Sequence, residues 1–225
     1  RLLETTQPAY HSLGVAQFNA RRYSDAQQSF DASIHLKDDF YPAHYRLGRT
    51  YMALEQDARA LAALRRAATL KRDDDVVQYY IGEVLRRQGD LAGAIAAYDQ
   101  ASRLNPGETA YHRKAAETLL TLGRAAEAES RFRTALSQDP GSSITHYNMS
   151  QALVAQGKYE EALGSATRAV ELQPSSALYN FQAGFVQEKR GRGDEAIRLY
   201  TQAITLDSSY PEPLINLGKL YNEKG

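Results

Sequence analysis

Histidine and carboxylate side chains are the groups in this sequence that could do chemistry, because its 225 residues include five histidines and no cysteine. Three of the histidines, His44, His112 and His146, are separated by multiples of 34 residues, whereas His11 and His35 stand alone. Zinc needs its nitrogen ligands about 2 Å away, and equivalent residues of successive helical units lie roughly 10 Å apart. The periodic histidines therefore predict packing contacts, and we expect no metal site.

The run Asp73-Asp74-Asp75 is the longest run of carboxylates in the sequence. A calcium site needs about six to eight oxygen ligands from alternating loop positions, and three adjacent aspartates do not provide them. Carboxylates do suit the N-terminus of a helix, where the backbone dipole is positive. This run therefore predicts the start of a helix and not a metal site.

Motifs that would accompany catalysis are missing from the sequence. It contains no serine nucleophile elbow, no phosphate-cradling glycine loop and no paired-histidine helix motif. Its other acidic residues are scattered along the chain, as residues of a solvated surface are. We therefore predict no catalytic residue, no metal ligand and no cofactor, and a protein that is not an enzyme.

The charge composition is balanced, with 27 basic and 27 acidic residues. A neutral chain has no overall field that would attract nucleic acid or an anionic membrane surface, so neither is an expected partner. No apolar run approaches the roughly 18 residues that a membrane span requires. The sequence begins at Arg1 instead of a methionine, so an upstream signal could have been removed. The compartment stays open, and we expect a soluble protein, either cytoplasmic or, after such removal, periplasmic.

A 34-residue period organises the chain and is clearest at residues 75–108. This stretch predicts two amphipathic helices, joined by a turn at Gly89-Asp90 and ended by Asn105-Pro106-Gly107. Small residues recur at two helix positions, where they allow helix backbones to approach closely. The first position holds Gly14, Gly48, Gly82, Ala116, Ser150, Gly184 and Gly218, and the second holds Ala26, Ala60, Ala94, Ala128, Ala162 and Ala196.

A third position carries large residues that should fill the space between neighbouring helix pairs. Ala166 interrupts this series, and Gly164 nearby places a glycine inside a predicted helix. Ordinary drift between repeats explains both, and a softer joint that lets the array flex is the alternative. The large residues are Phe30, Leu64, Tyr98, Phe132 and Tyr200.

This glycine, aromatic, alanine and proline pattern resembles the tetratricopeptide repeat family, whose unit is a 34-residue helix-turn-helix. The resemblance implies an all-α, right-handed superhelical solenoid of antiparallel helix pairs. Residues 1–6 would end a preceding repeat or form a cap, and residues 211–225 would form the first helix of a seventh repeat or a capping helix. The six full units are predicted at residues 7–40, 41–74, 75–108, 109–142, 143–176 and 177–210.

In this family the first helix of each unit lines a concave groove, and the resemblance implies the same here. Over the second to fourth units, the positions that would face this groove hold six basic residues and two acidic ones, Glu83 and Glu117. Arginine binds carboxylates through two parallel hydrogen bonds, and tyrosine offers a large contact face. The candidate partner-binding residues are Tyr45, Arg46, Arg49, Tyr79, Tyr80, Arg86, Arg87, Arg113, Lys114, Tyr147, Asn148 and Phe181.

These residues predict a protein or peptide partner that is acidic and partly aromatic, bound by a non-enzymatic scaffold. The alternative at the same positions is that the arginines only keep the helices soluble and the tyrosines pack against neighbouring helices. Two further functions stay open: the substrate-recruiting arm of a larger enzyme, and a self-associating module. A homo-oligomer would form through Leu217, Leu220 and Tyr221, which the pattern leaves exposed on the last helix.

Overall fold

The computed structural model describes residues 2–224 and the side chains of residues 6–222. Thirteen α-helices run through this range, and no strand occurs in it. The all-α class and the succession of helix pairs expected from the sequence are therefore confirmed. The helices are α1 (Leu2–Asn19), α2 (Tyr23–Leu36), α3 (Tyr41–Ala53), α4 (Asp57–Leu70), α5 (Asp75–Arg87), α6 (Leu91–Leu104), α7 (Thr109–Thr121), α8 (Ala125–Gln138), α9 (Ser143–Ala155), α10 (Tyr159–Leu172), α11 (Ala177–Lys189), α12 (Gly193–Leu206) and α13 (Pro211–Lys224).

The helices keep the 34-residue period of the sequence. We call the odd-numbered helices first helices and the even-numbered helices second helices. From α3 onward the first helices begin at residues 41, 75, 109, 143, 177 and 211, and the second helices begin at 23, 57, 91, 125, 159 and 193. The chain divides into two compact units, residues 1–111 and 112–225, and every contact described below lies within one of them.

The N-terminal segment is part of the first helix. Residues 2–6, expected in the end of a preceding second helix or in a cap, are continuous with α1, which also contains Pro8. Gln7 of this helix donates from Nε2 to the hydroxyl of Ser33 in α2 at 2.8 Å. Arg1 and Gly225, which belong to the predicted terminal segments, lie outside the described residues.

In four of the six described helix pairs, a large side chain of the second helix covers a glycine of its own first helix. A Cβ atom placed on Gly82 would lie only 2.5 Å from the ring of Tyr98, and one on Gly48 would lie 2.6 Å from Leu64. The same contact recurs between Gly184 and Tyr200, where the distance would be 2.8 Å. These large residues were expected to fill the space between neighbouring helix pairs. Their main contact is instead inside their own pair, against its first helix.

The turns inside the pairs need a left-handed backbone conformation. Gly89 adopts it with a φ of 82°, and Glu55, one repeat earlier, adopts it with a φ of 59°. A residue with a side chain is disfavoured in this conformation because its Cβ crowds the backbone. In the second repeat Glu55 stands in place of the glycine, so this turn keeps its left-handed geometry with a strained backbone.

The last helix is less exposed than the sequence predicted. Leu220 is only 8% exposed and packs with Ala196 and Tyr200, and Leu217 packs against the same cluster. The expectation that Leu217 and Leu220 form an open end is therefore wrong, because α13 docks on α12 with this face. Tyr221 is exposed, as predicted.

Within residues 2–224, every helix falls short of the combination of length and apolarity that a bilayer crossing requires.

Two glycines offer a matched test of the pair contact. We expect Gly82→Ala to lower the free energy of unfolding by roughly 1–3 kcal/mol, because its methyl group would collide with the buried Tyr98 ring. Gly164 also lies inside a helix, but a Cβ there would meet open space. We expect Gly164→Ala to raise the free energy of unfolding by roughly 0.5–1 kcal/mol, since alanine is the better helix former. Urea unfolding followed by circular dichroism measures both, and shifts of the same sign would contradict the contact as described.

Candidate functional site

The guanidinium group of Arg49 lies among three aromatic rings, each from a different first helix. Its Cζ atom is 5.4 Å from the ring centre of Phe18 in α1 and 5.7 Å from that of Tyr45 in α3. The ring centre of Tyr80 in α5 is 5.0 Å away. Separations below ~6 Å give cation–π attraction, and Nη1 also lies 3.4 Å from the Tyr45 hydroxyl, to which it donates. Arg49 is thereby held in one orientation.

Arg46 lies next to this group and completes what we call the arginine–aromatic cluster: Phe18, Tyr45, Arg46, Arg49 and Tyr80. The Cζ atom of Arg46 is 5.9 Å from the ring centre of Tyr45. Both arginines are partly buried. Among the side chains of residues 6–222, neither forms an ion pair with a carboxylate.

His11 borders the cluster without adding charge to it. Burial, and then the nearby charge of Arg46, lower the pKa of His11 below its usual value. Its ring packs at 5.8 Å from the ring of Phe30 and at 5.2 Å from that of Phe40. The positive charge at this place therefore comes from the two arginines.

Tyr79 joins a second group of rings beside the cluster. Its ring centre is 5.3 Å from Tyr80, 6.0 Å from Tyr98 and 5.6 Å from Tyr111. These are the separations of packed aromatic pairs. Tyr79 is partly buried and connects the candidate surface to the interior of its own helix pair.

The other two candidate cations of the first unit are paired with carboxylates of the protein. Arg86 lies 3.3 Å from Glu83, which also accepts a 2.5 Å hydrogen bond from the hydroxyl of Tyr98. Arg87 lies 3.0 Å from Asp57 and donates to the carbonyl oxygen of Met52 at 3.1 Å. The Arg87 contacts tie α5 to the preceding helix pair, and both ion pairs use charge that was expected to be available to a partner.

Glu117 forms ion pairs with both candidate cations of the second unit. Its carboxylate lies 2.6 Å from Arg113 and 3.4 Å from Lys114. Asn148 of the next first helix donates to it from Nδ2 at 2.8 Å. The structure therefore brings these three candidate residues together, but around a carboxylate of the chain itself.

The two aromatic candidates of the second unit also have partners within it. Tyr147 accepts a 2.7 Å hydrogen bond from Gln151, and its ring lies 5.4 Å from that of Tyr179. Phe181 lies 5.5 Å from Tyr200 and close to two further rings. These are contacts of the kind that the packing interpretation expects.

Two of the three periodic histidines bind the loops that precede their helices. His44 donates from Nε2 to the carbonyl oxygen of Asp38 at 2.6 Å, and His146 donates to that of Pro140 at 3.1 Å. Asn180, at the same position of a later repeat, reaches the carbonyl oxygen of Pro174 at 3.0 Å. Each contact spans six residues, so side chains at this position fix the entry of the chain into a first helix.

The aspartate run starts a helix, as the sequence predicts. Asp74 caps α5 by accepting from the backbone amide of Val77 at 3.0 Å. Its other oxygen accepts from the Tyr41 hydroxyl at 2.5 Å and from Lys71 at 2.9 Å. Burial alone would raise the pKa of Asp74, but these hydrogen bonds outweigh it and hold the pKa below its usual value. Asp75 accepts from Tyr111 and joins the run to the next repeat.

Phe18 is the member of the cluster that sequence reasoning missed. It lies in the last turn of α1, at the helix position that Arg86 occupies two repeats later. The candidate set begins in the second unit and therefore does not include Phe18. Only its distance to Arg49, which lies 31 residues later, shows its role.

The comparisons with known proteins agree on one family. A family model described as tetratricopeptide repeat matches residues 11–75 and 79–143, and a second with the same description matches residues 119–183. A third, described as TPR repeat, matches residues 189–225. A comparison with curated proteins gave no match.

Several solved structures share the fold. PilF of Pseudomonas aeruginosa is 16% identical, with a TM-score of 0.77 over 97% of this chain and 100% of that one. YrrB, described as a TPR protein with an unusual peptide-binding site, is 17% identical, with a TM-score of 0.69 over 83% of this chain and 96% of that one. MamA of Desulfovibrio magneticus RS-1 is 19% identical, with a TM-score of 0.71 over 75% of this chain and 96% of that one. At these identities the likeness concerns the fold alone.

The network around Asp74 predicts a pH-dependent contribution to stability. Asparagine caps helices about as well as aspartate, so Asp74→Asn removes mainly the charged contacts with Lys71 and Tyr41. We expect a loss of about 1–2 kcal/mol at pH 7. Because the folded pKa lies below the unfolded value of 3.8, the stabilisation is present above that pH and is lost as the pH falls through the folded pKa.

Urea unfolding of wild type and variant between pH 7 and pH 2 measures this difference. Asp73→Asn serves as the control, since Asp73 is the exposed neighbour and should change stability by less than about 0.5 kcal/mol. A gap between wild type and Asp74→Asn that widens on acidification would contradict the assignment.

Proposed function

Since this chain belongs to the tetratricopeptide repeat family, we propose that it is a non-enzymatic protein–protein interaction scaffold that binds an acidic, partly aromatic segment of a partner on its first helices. The contacts described above favour the arginine–aromatic cluster of the first unit as the binding surface. The observation that carries it is the pair Arg46 and Arg49, two partly buried cations with aromatic neighbours and no carboxylate partner among the described side chains.

A carboxylate of a partner would bind favourably beside Arg46 and Arg49. Partly buried charge is costly until it is paired, and a carboxylate could accept parallel hydrogen bonds from a guanidinium group. The rings of Phe18, Tyr45 and Tyr80 already hold Arg49 in one orientation. Binding would therefore require little further ordering of this side chain, which lowers the entropic cost of association.

Aromatic contact area adjoins these charges. Tyr45, Tyr79 and Tyr80 are partly buried, so each combines a fixed ring with a surface that a partner can cover. Tyrosines lose little conformational entropy in an interface and supply a large contact face. A segment that alternates acidic and aromatic residues would satisfy both features.

YrrB supports the general mode of recognition, since that protein is described as having a peptide-binding site. The candidates Arg86, Arg87, Arg113 and Lys114 contribute less here, because each is already paired with Glu83, Asp57 or Glu117. Tyr147, Asn148 and Phe181 stay predicted binding residues of the second unit. A recruiting arm of a larger enzyme and a self-associating module also stay predictions, the latter without Leu217 and Leu220, which pack against α12.

A direct test uses two synthetic peptides, one of four Glu-Tyr repeats and one of four Gln-Tyr repeats, in fluorescence anisotropy with the full chain. We expect the acidic peptide to bind at least about tenfold more tightly, a difference of ~1.4 kcal/mol, and its affinity to fall as salt is added. The double variant Arg46→Gln with Arg49→Gln should remove the preference.

The double variant Arg124→Gln with Arg168→Gln is the matched control. It removes the same charge from exposed arginines that each pair with a glutamate three residues later, and should bind as the wild type does. Loss of the Arg49 ring contacts should cost the first variant about 1 kcal/mol of stability, so thermal melting verifies that it is folded. Equal affinity for both peptides, or unchanged binding by the first variant, would refute the proposed site.

A further inference from the structure

A cavity of about 330 Å³ opens between α2 and α4, with α3 as its floor. The floor is buried and mainly apolar, with Leu47 and Tyr51 6% and 5% exposed, and it also includes His44. The rim is charged: Asp31 comes from α2, and Arg59 and Arg66 come from α4. Known ligand pockets have volumes of roughly 300–1,000 Å³, so this cavity is large enough for one side chain of a partner.

The cavity and the arginine–aromatic cluster use different faces of α3. Leu47 and Tyr51, four residues apart, face the cavity, and residues at this spacing share one face of a helix. Tyr45 and Arg49, also four residues apart, belong to the cluster. A ligand in the cavity would therefore not occupy the surface proposed above.

Arg59 occupies a helix position that favours an acidic residue. It lies in the first turn of α4, and the positive end of the helix dipole repels a cation there. Four other second helices carry a carboxylate at the equivalent position: Asp25, Glu127, Glu161 and Glu195. A residue that opposes a local rule marks a candidate functional position.

The contacts of Arg59 keep its charge beside the cavity. Its Cζ atom is 4.3 Å from the ring centre of Tyr51, and Nη1 donates to Gln56 at 2.8 Å. It has no carboxylate partner among the side chains of residues 6–222. Arg66, in contrast, is paired with Asp38 at 2.6 Å. Arg59 is therefore the cation that remains for a ligand.

We propose that this cavity is a second protein-binding site, which takes one aliphatic or aromatic side chain of a partner against Leu47 and Tyr51 while an adjacent Asp or Glu of the partner pairs with Arg59. The apolar floor selects the side chain, and the unpaired guanidinium group selects the charge next to it. The occupant is thus a short apolar–acidic segment, and its binding does not depend on Arg46 or Arg49.

The probes are three blocked dipeptides: acetyl-Leu-Glu-amide, acetyl-Leu-Gln-amide and acetyl-Gly-Glu-amide. Titration into the isotope-labelled full chain, followed by amide NMR shifts, should move the signals of Leu47, Tyr51 and Ala63, which line the cavity. We expect acetyl-Leu-Glu-amide to bind about fivefold or more tightly than either of the others, since each of those lacks one of the two contacts. Equal affinities, or no shifts at these residues, would overturn the proposal.

Two variants separate binding from folding. Ala62 is exposed at the rim, so Ala62→Trp should close the cavity without disturbing the core, and the shifts should disappear. Arg59→Glu installs the acid of the other second helices and should unfold at no lower urea concentration than the wild type, while the preference for acetyl-Leu-Glu-amide is lost. Wild-type binding by either variant would refute the site.

Arg65→Glu is the matched control, because Arg65 is exposed on the same helix but does not line the cavity. It carries the same charge change and should leave binding within about twofold of the wild type. The double variant Arg46→Gln with Arg49→Gln should also bind the dipeptide normally. A loss in either of these controls would show that general charge, and not the cavity, attracts the probe.

Discussion

The close contact between a glycine of the first helix and a large side chain of the second is the constraint on which four of the six described helix pairs depend. Where Gly82 meets Tyr98 and Gly184 meets Tyr200, no room remains for even a methyl group. Helices that approach this closely gain dispersion contacts along their length and can pack in few relative orientations. Each repetition of the contact therefore repeats the geometry of the pair, and side chains 34 residues apart occur in similar surroundings.

Internal carboxylates decide which cations of this chain remain for a partner. Glu83, Asp57 and Glu117 lie within a turn or a repeat of the arginines that they neutralise. Such contacts join neighbouring helices, and they also lower the charge that a partner would meet. Arg46, Arg49 and Arg59 differ because aromatic rings take the place of acids. A ring orients a guanidinium group without cancelling its charge, which leaves the group ready for a carboxylate.

The helix α3 contributes to two surfaces of different chemistry. One face carries Tyr45 and Arg49 beside the rings of α1 and α5, and the other carries Leu47 and Tyr51 at the floor of a cavity between α2 and α4. A helix in a stack of pairs contacts neighbours on several sides, so each of its faces can be specialised. An interaction scaffold gains from this arrangement, because two segments could be held at once on one rigid element.

The sequence by itself determined the helices and their pairing. Their residue types repeat every 34 positions, and turn residues, caps and small residues act over short distances, so Asp74 was assigned correctly to a helix start. Only the tertiary structure decided which long side chains are free. Glu117 meets Asn148, 31 residues later, Phe18 meets Arg49 across two helices, and Leu220 is buried by α12. Such contacts depend on how far side chains reach between neighbouring helices. The charges along a predicted groove carry no information about that reach.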